Sequence, residues 1–189
     1  HGTQLTHVCP EWFSLVDGLG NLQVDADIRL PKLAASKGFA LMPLLSNLVG
    51  DVWQPEAVEN LAHGPPDRRD RFINRLVTEL HAAKAAGVVI DWEQVDPAYE
   101  AEITKLLNQV AGALHNAGLQ LWLCVPPGQD LDYIDFDNLP ETIDRFVALL
   151  FDETSDTDPP GPLASREWFE SWLKALLKDA DTQQWVIAL

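Results

Sequence analysis

The sequence is poor in sulfur and in positive charge. Only two of its 189 residues are cysteine and one is methionine, so a disulfide scaffold is excluded. Lysine and arginine number 13 against 29 acidic residues, and the resulting net charge of −16 disfavours binding to nucleic acid or to anionic membranes. No uncharged apolar run reaches the ~18–20 residues of a membrane span, so the sequence predicts no direct membrane insertion. The absence of a glycine-rich phosphate motif disfavours nucleotide binding.

The remaining composition is that of a soluble globular protein, with 47% hydrophobic and 22% charged residues. The length suits one domain, 1–189, without an internal boundary. Because the sequence begins with His1, we expect the domain to be a fragment of a longer multidomain protein. Cys9 and Cys124 stand in apolar runs, where a buried free thiol is the expected state.

Six short, almost continuous apolar segments predict parallel strands that are covered on both faces. These segments are Leu5–Cys9, Phe39–Leu45, Val88–Trp92, Leu119–Val125, Arg145–Phe151 and Gln184–Leu189. Amphipathic helices are predicted between them, and the helix from Asp96-Pro97 to Gly118 has the clearest start, apolar stripe and stop. Others are predicted for 66–86, after Pro31 and after Ser165. The alternation predicts an α/β fold, either a barrel or a doubly wound sheet.

The strand that ends in Asp91-Trp92-Glu93 contains the clearest chemical signal. Alternation along a strand places Val89, Asp91 and Glu93 on one face. Two neighbouring carboxyl groups at the carboxyl end of a buried strand favour proton sharing, in which one stays neutral as a general acid while the other is an anion. The alternative is that both acids cap the helix near Pro97 or pair with a base at the rim of the sheet.

These residues resemble the D-x-x-D-x-D-x-E motif strand of glycoside hydrolase family 18, the family of many chitinases. Further segments resemble the family in the same order, and especially its peptidoglycan-hydrolase-like and polysaccharide-synthase-linked branch. These segments are Leu5–Val8, Pro43–Asn47, Val125–Pro127 and Leu149–Glu153. The resemblance implies an incomplete TIM-type (β/α) barrel with about six of the eight βα units. We expect the exposed edges of its first and sixth strands to be covered by loops or by a dimer partner.

The resemblance also implies an O-glycosyl hydrolase that acts on β-linked N-acetylglucosamine polymers by a substrate-assisted, retaining mechanism. In that mechanism Glu93 is the general acid, Asp91 orients and stabilises the reacting acetamido group, and Asp152 helps to hold it. Chitin, chito-oligosaccharide and peptidoglycan glycan are the implied substrates, and neither a metal nor another cofactor is required. These substrates imply an extracellular or cell-envelope location, also as a domain of a membrane-attached protein.

Four more residues are expected to contact substrate: Phe151, Trp12, Glu11 and Asn47. Trp12 follows the predicted first strand, where its ring could stack on a sugar. The sequence departs from the family at Ala86 and Val89, which replace aspartates, and at Phe151, which replaces a tyrosine.

These departures keep a second interpretation open: a catalytically weak or inactive glycan-binding or scaffold module of a polysaccharide synthase or cell-wall protein. A covalently linked glycosyltransferase or deacetylase domain is compatible with this interpretation. A third alternative uses the charge, since an acidic site would favour partly deacetylated, cationic glucosamine polymers.

Overall fold

The structure is a computed structural model that describes residues 5–126, 139, 142–151, 153–154, 159–178 and 182–188. The strands are β1 His7–Val8, β2 Glu11–Leu15, β3 Leu22–Val24, β4 Ala40–Leu41, β5 Leu44–Ser46, β6 Leu48–Val49, β7 Val52–Trp53, β8 Gly87–Asp91, β9 Gln120–Val125, β10 Arg145–Leu149 and β11 Trp185–Ala188. The α-helices are α1 Leu30–Lys37, α2 Pro55–His63, α3 Pro66–Ala82, α4 Glu100–Asn116 and α5 Arg166–Leu176. Single turns of 3₁₀-helix are found at Pro97–Tyr99 and Thr182–Gln184.

Within the described residues, the main sheet has seven strands in the order β11-β10-β9-β8-β5-β2-β3. All neighbouring strands are parallel except the pair β2 and β3. Strands β1 and β4 also pair in parallel, and they lead directly into β2 and β5. This arrangement confirms the predicted α/β class, while closure into a barrel remains a prediction.

The first strand is longer than the sequence predicts, because pairing resumes after Pro10. The Pro10 carbonyl accepts a hydrogen bond from the Leu44 amide at 2.8 Å, so the ladder continues from β1 into β2. Glu11 and Trp12 therefore lie within a strand and not in the loop expected there. A register shift between Glu11 and Phe13 makes Trp12 an extra, bulged residue opposite β5.

Strand β3 pairs with β2 at Phe13–Leu15 and continues the sheet beyond it. Strand β2 is therefore not an edge strand at Phe13–Leu15, contrary to expectation. At the opposite edge of the sheet, β11 is the last strand among the described residues. Helix α2 and the hairpin of β6 and β7 were not predicted, because a nine-residue helix and two-residue strands are too short for a clear periodicity.

The two faces of the sheet carry separate cores. The face covered by the helices holds a large core, called the outer core, and the opposite, inner face holds a smaller one; β8 contributes to both. Val88, Ile90 and Trp92 pack outward among the buried residues of the helices, as alternation predicts. The most extensive helical contribution comes from α4, whose buried stripe is Ile103, Leu106, Leu107, Val110, Ala111 and Leu114. Each of its leucine, isoleucine and valine side chains contributes about 1.5–3 kcal/mol on burial, so the outer face holds β8 firmly in place.

The inner face of the sheet is apolar near the middle of the strands. Met42, Val89, Trp122 and Cys124 form a buried cluster there. The parity of Trp122 in β9 turns its side chain inward, away from the helices. The Arg145 guanidinium lies 5.7 Å from the centre of its ring, within the range of a cation–π interaction.

The helix ends follow local chemistry. The Asp96 carboxylate accepts a hydrogen bond from the Ala98 amide at 2.8 Å, and this cap starts the turn that leads into α4. Gly118 follows α4 with a φ of 72°, a left-handed conformation that glycine adopts at no steric cost. Across the described ranges, no helix combines the length and apolar character of a membrane span.

Two glycines provide a matched test of this packing. A Cβ on Gly87 would collide with backbone atoms of Gln120 in the neighbouring strand, whereas a Cβ on Gly112 in α4 would meet nothing within 4 Å. We expect Gly87→Ala to destabilise the fold by about 1–3 kcal/mol. Gly112→Ala should stabilise it by about 0.5–1 kcal/mol, because alanine lowers the entropic cost of helix formation. Urea unfolding of both variants checks the pair, and equal shifts would contradict the close approach of β8 and β9.

Candidate active site

The carboxyl end of β8 places Asp91 on the inner face of the sheet. Asp91 has the same parity as Val89, which packs in the inner cluster, so its carboxyl group lies at the polar border of that cluster. In the register of the sheet, Ser14 is opposite Ser46 and Ser46 is opposite Asp91. The hydroxyl side chains of Ser14 and Ser46 therefore lie in one row across the sheet with the Asp91 carboxyl group.

The Asp91 carboxyl is only partly hydrated, and burial raises its pKa to about 6. A hydrogen bond with Cys124 lowers this pKa, while the negative charge of Glu11 raises it. Its Oδ1 atom is buried and meets no hydrogen-bond donor among the residues that the structure describes. A carboxyl group in this state gains or loses its proton close to neutral pH.

Cys124 is the neighbour of Asp91 on β9. Its side chain is 4% exposed, and burial together with the charge of Asp91 raises the pKa of its thiol well above the ordinary value. The thiol therefore stays neutral and can donate its weak hydrogen bond to the carboxylate. Burial of Cys124 confirms the sequence prediction, but Cys9 is exposed, contrary to expectation.

Glu93 lies two residues after Asp91, where the backbone is held by a side chain from another strand end. The Glu93 amide donates to Asn47 Oδ1 at 2.9 Å, and Asn47 Nδ2 donates to the Glu93 carbonyl at 3.0 Å. Directly after Glu93, Gln94 adopts a left-handed φ of 59°. These contacts fix the course of the chain at the expected general acid.

The alternative role for the two acids, capping the following helix, is filled by another residue. Asp96 accepts the hydrogen bond at the start of the turn that precedes α4. Asp91 instead lies on the inner face, where it shares a hydrogen bond with Cys124. Asp91 therefore does not cap α4.

The expected substrate contacts are not all brought together. Glu11 is exposed and close enough for its charge to influence Asp91. Phe151 lies half-buried just after β10, two strands away from β8. Asp152 lies outside the described residues. Its role therefore stays a prediction.

Two other expected contacts lie elsewhere. Trp12 is 6% exposed and packs in the outer core, because the bulge turns it away from the inner face. Asn47 has no exposed surface, and its amide group is engaged with the backbone of Glu93. A buried ring and a buried amide that bonds to the backbone present little surface to a sugar, so the structure does not bring either residue to the surface expected to contact substrate.

Sequence reasoning missed two neighbours of Asp91, namely Cys124 and Ser46. Cys124 stands in the predicted strand Leu119–Val125, and Ser46 directly follows the predicted strand Phe39–Leu45. The signal that would have paired them with Asp91 is the parallel register. Sequence reasoning did not expect a raised pKa for Asp91, which burial and the charge of Glu11 produce. The assignment of the neutral general acid to Glu93 stays a prediction.

The raised pKa of Asp91 predicts how stability depends on pH. Protonated Asp91 is favoured by the fold, so its contribution is fully present below its ordinary pKa of 3.8 and is lost as the pH rises through about 6. Asp91→Asn should therefore stabilise the protein at pH 7, by about 3 kcal/mol at most, and change little near pH 4.

Chemical unfolding of Asp91→Asn at both pH values measures this difference. Asp70→Asn is the matched control, because it removes an exposed carboxylate from α3. A stability difference for Asp91→Asn that is the same at pH 4 and pH 7 would exclude a buried, perturbed carboxyl group.

Comparison with known proteins places this geometry in a known fold. No family model matches the sequence. A chitinase from Chromobacterium violaceum superposes with a TM-score of 0.85 at 17% identity, covering 98% of this chain and 61% of that protein. A class V chitinase from Pseudomonas fluorescens gives 0.85 at 17% identity, with 98% and 60% covered.

The spore cortex-lytic enzyme SleL from Bacillus megaterium gives a TM-score of 0.87 at 16% identity, with 97% of this chain and 43% of that protein covered. The chain thus spans about three fifths of the length of the two chitinases and less than half of the cortex-lytic enzyme. These likenesses confirm at the level of the fold the resemblance noted in the sequence. The chain has a chitinase-like fold.

Proposed function

We propose that this domain is an O-glycosyl hydrolase that cleaves β-linked N-acetylglucosamine polymers such as chitin, chito-oligosaccharide or peptidoglycan glycan. The observation that carries the proposal is the pair Asp91 and Glu93 at the carboxyl end of a central strand, with one carboxyl group titrating near neutral pH. The fold supports it, because proteins that share it include chitinases and a spore cortex-lytic enzyme.

In the proposed first step Glu93 transfers its proton to the glycosidic oxygen as the bond to the anomeric carbon breaks. The carbonyl oxygen of the substrate's own N-acetyl group attacks that carbon and forms a cyclic oxazolinium ion. Asp91 orients the acetamido group and stabilises the positive charge that develops on it. Water then opens the ring from the vacated face while the Glu93 carboxylate takes up a proton, and the anomeric configuration is retained.

The inner cluster offers a reason why the substitution at Val89 does not remove this chemistry. The family motif has an acid at that position, whose role includes hydrogen bonding to the next acid along the strand. Here Val89 is apolar, but Cys124 lies beside Asp91 on the neighbouring strand and shares a hydrogen bond with it. The thiol is uncharged, so it gives Asp91 a hydrogen-bond partner without placing a second negative charge beside it.

The resemblance assigns two more residues to the acetamido group. Asp152 would hold it near the reaction centre. Phe151 occupies the place of a tyrosine and lacks the hydroxyl that would donate to the acetamido oxygen. The loss of one such donor lowers the rate on the order of 10²-fold, so we propose a slow enzyme.

The proposed substrates lie outside the cell membrane. We therefore propose an extracellular or cell-envelope location, with the glycan as the main partner of the domain. A covalently linked glycosyltransferase or deacetylase domain, as in the polysaccharide-synthase branch, is part of this proposal.

Glu93→Gln tests the proposed general acid. The variant keeps the size of the side chain but removes its proton, so hydrolysis of N-acetylglucosamine oligomers should fall by about 10²–10⁴-fold. Product analysis by NMR should show the β-anomer first in the wild-type reaction, as retention requires. Glu167→Gln, an exposed change on α5, is the control and should leave turnover intact. Equal turnover by the wild type and Glu93→Gln would remove Glu93 from the mechanism.

A second candidate function is a glycan-binding or scaffold module without useful hydrolysis. Val89 favours it, because its side chain is 1% exposed and closes the inner face where the family motif has an acid. Titration calorimetry with N-acetylglucosamine oligomers should then show binding, while the products show no cleavage. Failure of the full-length protein to bind these oligomers would rule this function out.

A further inference from the structure

Asn47 has an unusual position among the polar residues of this chain. It is completely buried, and both polar atoms of its side chain bond to the backbone of a single residue, Glu93. A buried amide without partners is costly, so this pairing is strongly favoured once the two strand ends meet. The two residues are 46 positions apart in the sequence, and the contact therefore depends on the fold.

The contact continues the sheet where the two backbones separate. The last registered pair of β5 and β8 is Ser46 with Asp91. After Ser46 the backbone turns into the hairpin of β6 and β7, and the Asn47 carbonyl accepts a hydrogen bond from the Gln54 amide at 2.9 Å. The side-chain amide of Asn47 then takes the place of a peptide group and forms the next two hydrogen bonds to the β8 chain.

Only a primary amide of this length can make both bonds, because it offers one acceptor and one donor on the same planar group. An aspartate would keep the acceptor for the Glu93 amide but would present a second oxygen to the Glu93 carbonyl. An alanine would leave both backbone groups without these partners.

The backbone conformation of the next residue, Gln94, is a second, independent indication that the direction of the chain at Glu93 is constrained. Gln94 adopts a φ of 59°, which non-glycine residues rarely adopt and which persists only where the surroundings enforce it. The bonds from Asn47 hold the residue just before this turn. The left-handed turn and the amide pair together leave Glu93 little freedom to change direction.

We propose that Asn47 is a positioning residue for Glu93, whose backbone it holds so that the carboxyl group meets the leaving oxygen of the substrate. This inference rests on the proposed function, since it assigns Asn47 a role in the same reaction. Asn47 acts from behind the site and does not touch the sugar, which distinguishes it from a substrate-binding residue. Misplacement of an acid by about 1 Å can cost on the order of 10²-fold in rate.

The test compares a poor with a good leaving group. A general acid matters most when the departing oxygen is basic, as in an N-acetylglucosamine oligomer, and least for a dinitrophenyl chitobioside, whose phenolate leaves without a proton. We expect Asn47→Ala to lower kcat on the oligomer about 10²-fold, with KM within about 3-fold, and to lower kcat on the aryl glycoside less than about 10-fold. Asn47→Asp, which keeps one of the two bonds, should lie between the wild type and Asn47→Ala.

Asn108→Ala is the matched control. It also removes an asparagine side chain with an interior partner, since Asn108 Oδ1 accepts from the Thr142 hydroxyl at 2.9 Å, but it does so on α4. This variant should alter stability without changing the ratio of the two rates. Equal losses on both substrates in Asn47→Ala would show a general effect on the fold and overturn the inference.

Amide hydrogen exchange separates this inference from the proposed function. In the wild type the Glu93 amide should exchange slowly, and Asn47→Ala should lose that protection while the amides inside β8 keep theirs. If the wild type cleaves neither substrate, the proposed function is refuted. Slow exchange of the Glu93 amide that is lost in Asn47→Ala would still uphold the positioning of the Glu93 backbone by Asn47. Fast exchange of Glu93 in the wild type overturns that positioning, whether or not the variants fold.

Discussion

The candidate site depends on one constraint, the partial removal of a carboxyl group from water at the end of an apolar strand. Burial opposes ionisation of Asp91, and the charge of Glu11 acts in the same direction. The Cys124 thiol opposes both effects through its hydrogen bond. With a pKa of about 6, Asp91 is partly protonated just below neutral pH, whereas a fully exposed aspartate would be an anion there. The apolar cluster below Asp91 therefore affects the ionisation of this group as well as forming part of the core.

The same strand supplies the rigidity that such a site requires. Its outward side chains pack against the helices, while its inward side chains end in the carboxyl group. Beyond the strand, regular pairing stops, and the side chain of Asn47 replaces it for one residue. The candidate site thus lies where backbone pairing ends, and the polar contacts at that point are made by a side chain rather than by the ladder. This division shows how one short motif can be both a core strand and the frame of a candidate site.

The α/β class, the six strand regions and the stripe of α4 were predictable from the sequence, because burial on two faces and helical periodicity leave clear patterns. The inward direction of Asp91 followed from alternation in β8. The positions of Trp12 and Asn47 did not follow. A bulge changes the parity of a strand without a sequence signal, and the hydrogen bonds of Asn47 depend on a strand end that is distant in sequence. The partners of Asp91 required the register between strands, which apolar patterns alone do not provide.

The bulge at Trp12 also determines the size of the side chains around the carboxyl group. Because it shifts the parity of β2, Phe13 and Leu15 face the outer core and Ser14 joins Ser46 on the inner face. Without the extra residue, aromatic and branched aliphatic groups would stand in that row. Two of the smallest polar side chains adjoin Asp91 instead, so no bulky side chain of the first two strands stands in register with the acid. One additional residue in a strand thus decides how crowded the surroundings of the acid are.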